Sequence, residues 1–196
     1  MTAETARQTV LFSDLGDKPI VALFDQPHAS SDGGAILLKA AERPYRLLDG
    51  FARCLVDGRQ AGKVRHSLRD LIAQRVYRLA CGYADGNDGD RLGDDPIQKL
   101  LLDRDPITGE PLASQPTVSR FENAVGRTAL YRLGRTVADA VIERHRRRLH
   151  GRARRITIDL DPTDDPTHGA QQLSFFNGHD DTWCDLPIVG FLTFDD

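Results

Sequence analysis

Six residues, Ile156-Thr157-Ile158-Asp159-Leu160-Asp161, constrain this chain more than any other stretch. Ile156, Ile158 and Leu160 alternate with Thr157, Asp159 and Asp161, the period of a β-strand. Both acids therefore share one face and the three aliphatic side chains the other, which calls for a buried strand. Pro162 has no amide hydrogen to donate to a ladder, so regular pairing is expected to fade just after Asp161. Residues 162–169, PTDDPTHG, carry turn chemistry. A carboxylate at the end of a central strand is placed to hold a catalytic divalent metal, because the strand fixes its oxygens. The plainer reading is that these aspartates cap turns or face solvent.

With 196 residues the chain has room for one or two domains with a real core. No apolar run approaches the ~18 residues of a membrane span. The start, MTAETARQTVLF, lacks the basic and apolar regions of a secretion signal, which implies a cytoplasmic location. Cys54, Cys81 and Cys184 are far apart and form no Cys-x-x-Cys pair, as suits a reducing compartment. His168, His179 and Cys184 match no standard zinc spacing with Asp161.

The net charge of -3 hides a strong asymmetry. Arg144, Arg146, Arg147, Arg148, Arg152, Arg154 and Arg155 crowd one stretch, with His145 and His150 among them. Arginines near a helix C-terminus also complement its dipole. Seven of them exceed what capping needs, and phosphate contact is the expectation.

Taken in order, residues 1–31 read as an extended arm, either short strands or a segment packed on later helices. Ser30-Ser31-Asp32-Gly33-Gly34 is a loop opening a helix from Ala35 to Arg43, with Ile36, Leu37 and Ala40 inward. Asp32-Gly33-Gly34 lacks the lysine and spacing of a phosphate loop. Further helices are expected over 45–56 and 67–81, the latter burying Leu68, Leu71, Ile72, Val76 and Leu79, with Gly82 at its end. Residues 83–92 (YADGNDGDRL) form a polar connection without the terminal Glu of a calcium loop. Pro96 starts another helix. Ser114 or Gln115 caps the next, with Pro116 early in it, Val118 and Phe121 inward, and Gln115, Thr117, Ser119 and Arg120 outward. That set is what a helix-turn-helix recognition helix presents to phosphates and base edges, although good capping alone also explains it. After Gly126 a helix over 128–149 is expected to bury Leu130, Leu133, Val137 and Val141. Residues 172–176 are a candidate strand and 177–182 a turn. The near-continuous apolar run 186–194 reads as a strand covered on both faces.

Several of these stretches join into one resemblance. SSDGGAILL (30–38), HSLRDLIAQRVYRLACGYADGND (66–88), DRLGDDP (90–96), SQPTVSRFEN (114–123), ITIDLDPTDDPTHGAQ (156–171) and FFNGHDDTWCDLPIVGFLTFD (175–195) carry it. The chain resembles the N-terminal portion of bacterial insertion-element transposases of the DDE class, in the branch called DDE group 1. The resemblance implies an α+β protein. A mainly helical, DNA-binding region over 32–150 follows the arm of 1–31, and 151–196 begins an RNase H-like α/β domain that is incomplete here. It implies a double-stranded DNA partner at element ends, with a homo-oligomer left open, and no membrane.

In such a domain three acids hold two divalent ions, Mg2+ or Mn2+, that activate the attacking oxygen. The first acid lies in an Asp-x-Thr/Ser context, which matches Asp161-Pro162-Thr163, so Asp161 is the expected metal ligand and catalytic residue. Asp159 is the alternative. Arg120 with Gln115, Thr117 and Ser119, and Arg146, Arg147, Arg148, Arg152, Arg154 and Arg155, are the expected DNA contacts. In similar sequences Asp180 and Asp185 are replaced by tyrosine, a loss of about 1–3 kcal/mol each if these sites are buried. The segments with the second Asp and the Glu are expected beyond Asp196. The chain alone is therefore expected to bind metal weakly and to be inactive, as a truncated transposase or as a non-catalytic protein competing for element ends.

Overall fold

The computed structural model describes residues 15, 18–20, 28–149, 154–167 and 174–195. Most of the expected arm, and Arg152, lie outside them. The chain is α+β and divides into two units, one ending at Val141 and one starting at Ile142.

Helix α3 (Leu68–Ala80) is the centre of the first unit. Ser67 caps it reciprocally: its Oγ accepts from Asp70 N at 3.0 Å while Ser67 N donates to Asp70 Oδ2 at 3.4 Å. Such a box stabilises a helix start by about 1 kcal/mol. At the other end Gly82 takes φ 90°, a conformation that only glycine adopts without strain. Around α3 pack α1 (Ile36–Glu42), entered through a 3-10 turn at Gly33–Ala35, then α2 (Leu47–Cys54) and α5 (Pro96–Leu101). The core they share comprises Ala35, Leu48, Ile72, Ala73, Tyr77, Leu101, Leu102 and Leu112. Each large aliphatic member contributes about 1.5–3 kcal/mol by leaving water.

Two inward assignments fail. Leu37 is 59% exposed and Leu79 48%, because the buried faces centre on Ile36 and on Ala73–Tyr77, and a helix turns about 100° per residue. The space is taken instead by polar groups. Gln74, Arg78 and Gln98 are buried. Arg78 Nη2 donates to Gly89 O at 3.1 Å, Gln98 Nε2 to Asp32 Oδ2 at 3.0 Å, and Tyr83 OH to Asp32 Oδ1 at 3.0 Å. The Arg78 and Tyr83 bonds tie the acidic 83–95 connection, with its short helix α4 (Asp88–Arg91), to the body.

Helix α6 (Gln115–Asn123) precedes α7 (Arg127–Arg148), a 22-residue helix that crosses the boundary between the units. No residue of α7 is buried. The expected stripe is thus overturned: Leu130, Val137 and Val141 are exposed and only Leu133 is half-buried. Helical spacing aligned these residues correctly, but in the first unit α7 makes a close approach with Thr136 rather than with the stripe. The Thr136 hydroxyl lies 3.2 Å from Cys54 Sγ, and its methyl sits over Gly50.

In the second unit β1 (Arg155–Pro162) pairs antiparallel with β5 (Ile188–Asp195), and β2 (Asp165–Pro166), β4 (Thr182–Asp185) and β3 (Phe175–Asn177) form a small sheet in the order β2-β4-β3. Pairing persists to Pro162 opposite Ile188, and Thr163 N then donates to Pro187 O at 3.0 Å. The ladder thus ends at Pro162, one residue past Asp161 and close to the expected point, with a single further bond from Thr163. Neither long strand is covered as expected. Every residue of β1 is exposed, and Ile188 and Phe191 are 72% and 57% exposed. The end of α7 approaches one face at Ile156, Leu192 and Phe194, and the rest of both strands stays open among the described residues of the unit. Cys184 on β4, which the sequence reading did not identify as a strand, is fully buried.

Candidate nucleic-acid interface

Helix α6 is set on the body by its buried side. Val118 is buried with Leu71 and Ala113, and Phe121 packs against them. The Gln74 carboxamide grips the segment just before the helix, and Arg75 pairs with Glu122 further along it. Ser114 occupies the N-cap with its Oγ 3.2 Å from Thr117 Oγ1, and Pro116 sits in the first turn, where its missing amide is harmless.

The four outward residues of α6 do not form one face. Gln115 is half-buried, its backbone N donating to Asp90 Oδ1 at 3.1 Å and its side chain lying against Gly86 and Gly89. Thr117 and Ser119 are half-buried, and Ser119 Oγ lies 3.4 Å from Asn123 Nδ2. Arg120 is exposed and has no ion-pair partner among the described residues.

Thr117 and Arg120 instead line a groove of about 730 Å³ that runs between α6 and the loop over 56–66. The floor is apolar, with Leu68, Leu71, Leu112 and Phe121. The far wall is basic, with Arg59, Lys63 and Arg65. Arg59 forks onto Asp57 through two 2.7 Å bonds, which lower the Asp57 carboxyl to about 2. Arg65 pairs with Glu110, and Lys63 has no partner among the described residues. His66, buried at the end of this wall, meets Arg104 Nη2 at 3.1 Å through Nδ1. A guanidinium only donates, so Nδ1 accepts and the neutral ring carries its proton on Nε2. Sequence reasoning passed over this wall. Its only signal was Arg59, Lys63, Arg65 and His66 within eight residues, and their opposition to Arg120 depends on folding.

In the second unit the last turns of α7 present Arg146, Arg147 and Arg148, all exposed. One acid, Glu143, serves both Arg146 at 3.8 Å and Arg147 at 2.9 Å, and Arg148 has no ion-pair partner among the described residues. Exposed pairs of this kind are worth about 0–1 kcal/mol and exchange readily for phosphate. Arg154 and Arg155 are exposed at the start of β1. The His145 ring stacks on Phe194, centroids 4.2 Å apart, which fastens the end of α7 to β5.

Asp159 and Asp161 do share one strand face, opposite Phe191 and Val189 of β5. Both are exposed, and the side chains of their cross-strand neighbours carry no oxygen. Among the described residues no group of three or more His, Cys, Asp or Glu gathers where an ion would sit. Two carboxylates beside apolar neighbours are a poor fit to a pair of divalent ions, which needs several oxygens from separate elements. Asp180 is exposed at a turn, accepting from Asn177 Nδ2 at 2.7 Å, so it carries no burial cost, and Asp185 is half-buried opposite Asp165.

A family model described as transposase DDE domain group 1 matches residues 12–196. No curated protein and no solved structure matches the chain.

Proposed function

The chain belongs to the transposase DDE domain group 1 family, and from that premise we propose that it binds the duplex DNA of insertion-element ends in DNA transposition. The observation that carries this reading is the end of α7, where three exposed arginines stand in succession and a single carboxylate, Glu143, pairs with only two of them. Phosphate contacts by such side chains supply affinity without sequence preference. Arg152, Arg154 and Arg155 extend the same basic run, and Arg120 with Thr117 supplies a second contact on α6.

β1 and β5 are read as the opening strands of an RNase H-like domain, with Asp161 as the first catalytic acid and Asp159 as the alternative. The family's Mg2+ or Mn2+ would need carboxylates that the described residues do not bring to this face. No chemical step is assigned to these strands by themselves. The apolar neighbours of Asp159 and Asp161 favour a second reading, a non-catalytic protein that occupies element ends and competes with an intact enzyme.

Fluorescence anisotropy with a labelled duplex, titrated with salt, tests the DNA reading. Replacing Arg146, Arg147 and Arg148 with alanine should weaken binding on any sequence and lower the slope of log K against log salt by about 3, close to 1 per lost phosphate contact. An unchanged slope would remove the cluster from the interface.

A further inference from the structure

We propose that the groove between α6 and the 56–66 loop clasps the sugar–phosphate backbone of a DNA strand, with Lys63 and Arg65 on one wall and Arg120 on the other. This rests on the DNA-binding reading and adds to it a second site, in the other structural unit from the arginine end of α7. Three observations converge on it. Arg59, Lys63, Arg65 and Arg120 line the groove against one acid, Asp57, although the chain as a whole carries a net charge of -3. Lys63 and Arg120 have no ion-pair partner among the described residues, so their charges are available. Arg65 has only the exposed Glu110, which a phosphate can replace at little cost.

The floor supplies the rest of the chemistry. The half-buried Leu68 and Phe121 offer an apolar surface to sugar and base, while Thr117 on the α6 wall offers a hydroxyl. An acidic peptide would find the same cations, but the hydroxyl and apolar floor beside them suit a sugar–phosphate strand. Gln115 points to the same geometry from the opposite side. Its packing against Gly86 and Gly89 takes it away from base edges, so α6 engages DNA through Thr117 and Arg120 rather than through Gln115.

The experiment uses the 1–196 chain, a labelled duplex, and labelled poly-glutamate as the acidic-peptide probe. Lys63→Ala with Arg120→Ala should weaken duplex binding about tenfold and lower the salt slope by about 2. Lys63→Arg with Arg120→Lys should restore the slope, and an unchanged melting curve shows that the alanine pair is folded. Both side chains are exposed, so folding should survive. If the alanine pair leaves affinity and slope intact while the Arg146/Arg147/Arg148 variant loses them, the groove is overturned and DNA binding stands. If the parent chain shows no salt-dependent duplex binding, both fall. An equal loss of poly-glutamate binding would make the groove a general polyanion surface and overturn its assignment to a nucleic-acid strand.

Discussion

The Gln74 side chain and the Ala113 backbone exchange two hydrogen bonds in the interior, Nε2 to O at 2.7 Å and N to Oε1 at 3.0 Å. The carboxamide thus pairs with one residue's N–H and C=O much as a neighbouring strand would. Both residues are at most 1% exposed, so water cannot replace either bond. The start of α6, and with it one wall of the basic groove, hangs from this contact.

Gln74→Ala should therefore be severe. It strands a buried donor and a buried acceptor, each costing about 1–3 kcal/mol, for a loss of about 2–5 kcal/mol. Urea unfolding measures it. A loss under about 1 kcal/mol would show that the segment before α6 relaxes to find other partners.

Gly50 and Thr136 make a second specific contact. A Cβ added at Gly50 would lie 2.8 Å from the Thr136 methyl, closer than real carbons approach. Alanine favours a helix over glycine by about 1 kcal/mol, so on propensity alone Gly50→Ala should stabilise α2. The overlap should win, because a β-branched side chain has little rotameric freedom, and a net loss of about 1–3 kcal/mol is expected. Adding Thr136→Ser, which removes the methyl and keeps the hydroxyl beside Cys54, should recover most of it. A stable Gly50→Ala single variant would show that α7 moves freely away from α2.

Acid should destabilise the first unit through His66. Burial, then the Arg104 and Arg65 guanidiniums, hold its imidazole below the ordinary 6.5. The unfolded chain therefore takes up the proton first. Stability is complete above pH 6.5 and is lost as pH falls from there through the lower folded value, at no more than about 1.4 kcal/mol per pH unit. His66→Asn keeps an acceptor for Arg104 without titrating. Urea midpoints compared at pH 7.5 and 5.5 should show a smaller difference in that variant than in the parent, and an equal difference would assign the acid effect to other groups.

Strand chemistry should be missing from residues 1–196 alone. Asp159 and Asp161 face Phe191 and Val189 across the ladder rather than further carboxylates. Supercoiled plasmid incubated with the purified chain and magnesium or manganese should stay uncut. Asp161→Ala, at an exposed site, should change stability by less than about 0.5 kcal/mol. Metal-dependent nicking that disappears in Asp161→Ala would overturn this and make the chain a nuclease in its own right.

Local physics was legible in the sequence. Pro96, Pro116 and Gly82 marked helix ends because capping and backbone conformation depend on a few adjacent residues. The alternation in 156–161 announced β1 and placed Asp159 and Asp161 on one face for the same reason. The short strands β2 and β4 were missed, since two to four residues hold too little periodicity to separate from a turn.

What lies against each face was a different matter. Leu130, Val137 and Val141 fall on a helical stripe, and Ile156, Ile158 and Leu160 on a strand face, yet most of each is open. Periodicity states which side chains travel together and says nothing of whether another element arrives to cover them. Likewise Arg120 and Lys63 lie 57 positions apart, and no local pattern relates them. The sequence by itself determined the longer helices and strands and their order, because propensity, caps and period act within a turn or two. Only the tertiary structure decided that the 56–66 loop stands across from α6, because that distance is set by how α3 packs between them, with Gln74 on one side holding Ala113 just ahead of the α6 N-cap.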